Sequence, residues 1–172
     1  MTGWLRCPGG RPHWGRRGAA GLLPVAVENG RPFVLLCLRS PLTDAGGLWG
    51  TAGGAIEPGE DAWGAAVREA AEEILMPAYR RAGRHAASCP HCPWTYETFI
   101  VAASALEAAV ALSEVTQARW FDADGVLSLP LHPGLAAAWR GGLADAVAAI
   151  ARYPPPGRAT RDSSHASMSA SR

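Results

Sequence analysis

The stretch GGAIEPGEDAWGAAVREAAEEILM, residues 53–76, decides how the rest of the sequence is read. Gly53 and Gly54 permit close backbone approach, Glu57, Pro58 and Gly59 supply a turn, and residues 61–75 carry a helical pattern. Asp61 suits the amino end of that helix, because a carboxylate there accepts backbone N–H groups that lack a partner within the helix. On a helical wheel Trp63, Val67, Ala70 and Ile74 share one stripe, the expected core-facing surface. Glu69, Glu72 and Glu73 share a different face, related by steps of three and four residues, so their charges repel unless a cation lies among them. Hard carboxylate oxygens, with no His or Cys in the set, suit Mg²⁺ or Mn²⁺ better than Zn²⁺. For an arbitrary glutamate triplet, a solvated acidic face is the alternative.

This triplet is not arbitrary. The segment resembles the Nudix box, G-x5-E-x7-R-E-U-x-E-E-x-G-U, where U is a bulky aliphatic residue. Gly54, Glu60, Arg68, Glu69, Glu72, Glu73 and Met76 stand at required positions, Ala70 is a small stand-in at the first U, and Leu75 replaces the second glycine. LWGTAGGAIEPGE resembles the usual approach to the box, with Ala52 where proline is common. HWGRRGAAGLL, RHAASCPHCPWTYETFIVA and ARWFDADGVLSLPLHPGLAAAW are similar to segments of a bacterial, MutT-like Nudix subgroup, so the resemblance runs from about His13 to Trp139.

The resemblance implies an α/β fold, the Nudix α/β/α sandwich with a mixed β-sheet and a loop–helix–loop motif. It implies a hydrolase that cleaves the diphosphate linkage of a nucleoside diphosphate derivative with a divalent metal and water. Glu69 and Glu73 would be the principal metal ligands, Glu72 a further ligand or a base, the Gly53 carbonyl a backbone ligand, and Arg68 the group that orients a carboxylate. Gly54 and Glu60 would be structural, Glu60 holding the loop against the helix. Several Nudix enzymes use a further Glu on a loop away from the box, and Glu114, six residues before Trp120, is the candidate here, with a plain surface glutamate as the alternative. Leu75 implies an altered turn, since a left-handed residue after the helix would cost a side chain about 1 kcal/mol, while Pro77 still stops the helix nearby. The competing class is a weakened Nudix-like nucleotide-binding or regulatory module. Retention of all three glutamates favours the enzyme.

Outward from the box, residues 19–27 and 32–38 are apolar runs joined by Asn29 and Gly30, the pattern of a buried hairpin. Residues 48–51 predict a short extended piece, 79–88 an Arg-rich connection, 94–103 and 117–121 strands, 129–134 a rigid loop and 135–151 a helix. The division expected is an N-terminal arm over 1–18, a Nudix domain over 19–153 with its box at 54–76, and a disordered tail over 154–172. With 172 residues, a net charge of +1 and 16 basic residues that are all Arg, no global field draws in nucleic acid polymers or a membrane surface. No apolar run has the length of a membrane span or the form of a secretory signal, which predicts a cytoplasmic protein acting on a small nucleotide.

Trp94 and Tyr96 are candidates for stacking on a base, with core packing the favoured reading for both, as for Trp49 and Trp120. His132, flanked by prolines, reads as structural. Cys7, Cys37, Cys89 and Cys92 are expected to be reduced thiols. Cys89 and Cys92 have CxxC spacing and Cys7 with His13 can complete a zinc site on paper, but without a second CxxC the metal reading is disfavoured.

Overall fold

Alternating apolar side chains along three strands produce a sheet that is buried on both faces. The computed structural model describes residues 3–8, 10–75, 78–106, 110–112 and 114–152. The chain begins with a small hairpin, β1 (Trp4–Leu5) and β2 (His13–Trp14), and continues into β3 (Ala19–Glu28) and β4 (Arg31–Arg39). Asn29 and Gly30 both have positive φ, the backbone of a tight hairpin turn, so the two apolar runs pair as expected. β5 (Trp49–Gly50) and β6 (Ala52–Ala55) lead to α1 (Ala62–Glu73), β7 (Ile74–Leu75), β8 (Tyr79–Ser88), β9 (Thr95–Ala103), β10 (Val110–Ala111) and β11 (Val115–Asp122). A 3-10 turn at Ala123–Ser128 precedes α2 (Pro133–Ala138) and α3 (Ala144–Arg152).

The main sheet runs β11-β4-β3-β9-β8. β3 and β9 are parallel and the other neighbours antiparallel, so the sheet is mixed, as expected. β9 occupies one edge of β3 along residues 19–25, and the opposite edge is shared between β4 and β6. Leu22, Leu35, Cys37, Phe99 and Val101 point to the layer that holds α1. Their neighbours Leu23, Val25, Val34, Leu36 and Ile100 point to the layer of α2 and α3, against Leu143, Val147 and Ile150. Helix, sheet and helix thus form the three layers, and each fully buried Leu or Ile contributes about 1.5–3 kcal/mol of hydrophobic stabilisation.

Four details differ from the sequence expectation. Residues 79–88 form a strand rather than a connection: β8 lies outermost in the sheet, where alternate side chains reach solvent and arginines are tolerated. The box helix stops at Glu73, because Ile74 adopts an extended backbone and pairs with Ala111. Its buried face is centred on Ala65, Ala66 and Ala70, whose small side chains let the helix sit close to β3 and β6, while Val67 is only half-buried. Helix 135–151 is divided by a kink at Gly141 and Gly142, the latter at φ 112°, which separates α2 from α3. Met76, Pro77 and the tail 154–172, for which the sequence predicts a box end, a helix stop and disorder, lie outside the described residues. Among the described residues, no helix is long and apolar enough to cross a membrane.

Candidate functional site

The amino end of α1 is built from side chains that close the preceding loop. Asp61 Oδ1 accepts the Gly64 N–H at 2.7 Å, capping the helix. Glu60 Oε2 accepts the Glu57 N–H at 3.0 Å, and the same carboxylate receives Arg68 Nε at 2.9 Å and Nη2 at 3.1 Å. Arg68 also donates to the Ala55 carbonyl at 3.1 Å and to Glu69 Oε1 at 2.8 Å, with Glu72 Oε2 3.6 Å away. One guanidinium therefore ties together the β6 end, the loop and two carboxylates. Its fixed fork of donors makes this possible in a way that a lysine would not. The Arg68 hydrogen bonds hold Glu60 below its ordinary pKa.

The carboxyl end of the helix face behaves differently. Glu73 is only 5% exposed, and its Oε2 accepts the Gly53 N–H at 3.0 Å. Burial raises its pKa to about 7. The Gly53 hydrogen bond opposes this rise, and the charges of Glu69 and Glu114 add to it. Glu69 is also raised, first by burial, which outweighs the opposing contacts from Arg68. A side chain on Gly54 would collide with the Glu69 carboxylate, and one on Gly53 would run into Ala20 and Gly21 of β3. Glycine at both positions is thus a steric requirement: at 54 it leaves room for the Glu69 carboxylate, and at 53 it lets β6 close on β3. The helix end is fastened from its other side by the Leu112 N–H, which donates to the Glu73 carbonyl at 2.7 Å.

Glu69, Glu72, Glu73, Arg68, Glu60, Gly53 and Gly54 therefore surround one loop–helix corner. Glu114 joins them from the turn before β11: it is exposed, its carbonyl accepts the Ser40 N–H at 3.0 Å, and its charge acts on both Glu69 and Glu73. Trp94 lies elsewhere, its ring stacked on His13 at 4.2 Å and its N–H donating to the Gly15 carbonyl at 2.9 Å. Tyr96 lies beneath the corner, with its hydroxyl 2.8 Å from Thr51 Oγ1 and packed against Gly21 and Gly53; burial pushes its pKa up to about 12. His132 caps α2, accepting the Gly134 N–H at 3.1 Å. Arg39 escapes the sequence reading: from the end of β4 its charge acts on Glu73, Tyr96 and His132. The one hint is a basic residue directly after the apolar run LLCL, at the mouth of a turn-rich loop.

The donor set fits a hard divalent cation. Glu73 is buried and has no ion-pair partner among the described residues; Glu69 stands beside it, and both hold protons more tightly than free carboxylates. A cation would relieve that cost, and oxygen ligands suit Mg²⁺ or Mn²⁺.

Residues 15–140 match the NUDIX domain family. A candidate 8-oxo-dGTP diphosphatase of Mycobacterium tuberculosis is 39% identical over 145 residues, spanning 80% of this chain and 67% of that protein. A crystal structure of a Nudix hydrolase from M. smegmatis, RenU, is 36% identical with a TM-score of 0.72, covering 91% of this chain and 99% of that one. An Ap4A hydrolase of C. elegans, 20% identical, shares the fold with a TM-score of 0.59 over 74% of this chain and 96% of its own.

Proposed function

Since this chain belongs to the Nudix hydrolase family, we propose that it hydrolyses the diphosphate linkage of a nucleoside diphosphate derivative, and that 8-oxo-dGTP is the first substrate to test. The observation that carries the reading is the buried Glu73 carboxylate, set beside Glu69 against the glycine-lined strand end. The substrate choice is supported by the 39% identity to the M. tuberculosis protein.

In this reading Glu69 and Glu73 hold Mg²⁺ or Mn²⁺, helped by Glu72 and by the Gly53 carbonyl. The bound cation supplies charge neutralisation for the phosphates and a more acidic water. Arg68 positions the Glu69 carboxylate, and the Gly53 N–H fixes one oxygen of Glu73, so neither ligand must be ordered when substrate arrives. Glu72, more than half exposed, and Glu114 are the two groups available to take a proton from the attacking water. Arg39 brings a positive charge to the strand side of the corner, where phosphate charge would otherwise face Glu73 and Glu114. The near-neutral chain charge supports a small nucleotide rather than a polymer as substrate, and a cytoplasmic setting completes the proposal.

Release of nucleoside mono- or diphosphate, resolved by chromatography, from 8-oxo-dGTP, ADP-ribose, nucleotide sugars and dinucleotides, with Mg²⁺ or Mn²⁺, tests this. Turnover of at least one substrate is expected, abolished by EDTA and reduced on the order of 100-fold or more in Glu73→Gln. No release from any of them, or release indifferent to Glu73→Gln, overturns the proposal.

A further inference from the structure

A second cluster of metal-binding side chains lies at the N-terminal hairpin, apart from the carboxylates of α1. The loop between β1 and β2 carries Cys7 and leads to His13, and the turn between β8 and β9 carries Cys89 and Cys92. One ligand atom from each of these four residues lies within 4.8 Å of the other three. Cys7 Sγ and Cys89 Sγ are 3.4 Å apart. Tetrahedral zinc, with Zn–S near 2.3 Å and Zn–N near 2.0 Å, separates its ligand atoms by roughly 3.5 to 3.8 Å. The cluster reaches that spacing with shifts of a few tenths of an ångström to about one ångström. We propose that Cys7, His13, Cys89 and Cys92 form a structural Zn²⁺ site that clasps the N-terminal hairpin to the β8–β9 turn.

Surrounding contacts preset the ligands. His13 Nε2 is closed off from solvent and has no hydrogen-bond partner among the described residues, a costly state for an imidazole nitrogen unless it receives a ligand. The His13 ring is held by stacking on Trp94, and Trp94 is fixed by its N–H bonds to the Trp14 and Gly15 carbonyls. The CxxC turn is closed by Cys89 N–H to the Trp94 carbonyl at 2.8 Å and Trp94 N–H to the Cys92 carbonyl at 2.8 Å. Within it, the His91 N–H points at Cys89 Sγ at 3.5 Å, a donor that favours thiolate. Three sulfurs and one imidazole are a donor set for zinc rather than for Mg²⁺. A two-thiol redox pair would leave the third sulfur and the imidazole without a role.

The clasp would anchor the segment that enters β3. Gly15 packs against Ala55 so closely that a side chain there would strike it, and the Gly18 carbonyl accepts the Ile56 N–H at 3.1 Å, next to the start of the box loop. Zinc would therefore act on stability, with the hydrolytic chemistry left to the separate carboxylate corner. The proposal stands whether or not the hydrolase reading holds.

Elemental analysis of the full chain, purified under reducing conditions without chelator, tests it. One zinc per chain is expected, retained through dialysis against Mg²⁺ and lost in the Cys89→Ser, Cys92→Ser double variant. Should that variant fail to fold, Co²⁺ added to zinc-stripped wild-type protein provides the second measurement. The thiolate-to-metal and visible bands of tetrahedral cobalt are expected, together with a rise in Tm. Zinc content no higher than in a folded double variant, a Cys7–Cys89 disulfide mapped by mass spectrometry in its place, or featureless cobalt spectra would overturn the assignment.

Discussion

Glu73 is the residue at which folding and function pull in opposite directions. Its pKa is about 7 when folded, against an ordinary value of 4.5, so in metal-free protein the folded state binds the proton more tightly than the unfolded state. Stability is then highest below about pH 4.5 as far as this group is concerned, falls as pH rises toward 7, and stays lower beyond it. A divalent cation should reverse the loss, since it binds the charged carboxylate. Thermal melts should show Mg²⁺ raising Tm more at pH 8 than at pH 5, and in Glu73→Gln the metal-free decline above pH 4.5 should flatten. An equal Mg²⁺ effect at both pH values would remove Glu73 from the ligand set. The acidic triplet could be found from sequence because helical spacing puts Glu69, Glu72 and Glu73 on one face, and Arg68 and Glu60 because they stand at positions of the motif that the segment resembles. Arg39 could not, because its nearness to Glu73 arises from the pairing of β4 within the sheet rather than from any local interval.

At the scale of the element, Leu75 shows how a motif position can be met by different backbone geometry. The turn is altered, as Leu75 implies: among described non-glycine residues only Asn29 and Ala45 have positive φ, and residues 74 and 75 pair with Ala111 and Val110 as a short strand. Leu75→Gly should therefore not improve catalysis. It should lower stability by roughly 0.5 to 1 kcal/mol, the entropic cost of glycine in an extended segment, read by urea titration alongside kcat. A gain in kcat would show that the glycine turn matters after all. The hairpin at Asn29 and Gly30 was readable because its turn chemistry is local. β8 was not, since RRAGRH has the composition of a loop, and only its place beside β9 reveals that every second side chain can face water. The kink at Gly141 and Gly142 was visible as two glycines, but Ala-rich flanks with strong helical propensity mask it.

Across the whole molecule, the sheet separates two apolar layers, and only the α1 layer carries the carboxylate corner. Damage to the other layer should therefore lower stability without touching chemistry. Leu143, fully buried beside the kink, is the probe: Leu143→Ala should cost about 2–5 kcal/mol yet leave kcat and the Mg²⁺ dependence unchanged well below the lowered Tm. A matching fall in kcat would mean that the layers communicate. That the hairpin of β3 and β4 is buried was readable from its continuous apolar runs, but which side chains face which layer was not, because such a run does not distinguish its two faces. Cys7, His13, Cys89 and Cys92 could be named together from the sequence but were disfavoured as a site, because their meeting joins segments some eighty residues apart. The polar outer strands have a consequence for the protein in a crowd. β8 presents Arg81 and Arg84 to solvent, and β11 at the opposite border presents Thr116, Gln117 and Arg119. A neighbouring chain that tried to extend the sheet would have to desolvate these arginines and polar side chains, so the borders that make the fold hard to read also discourage it from seeding aggregates.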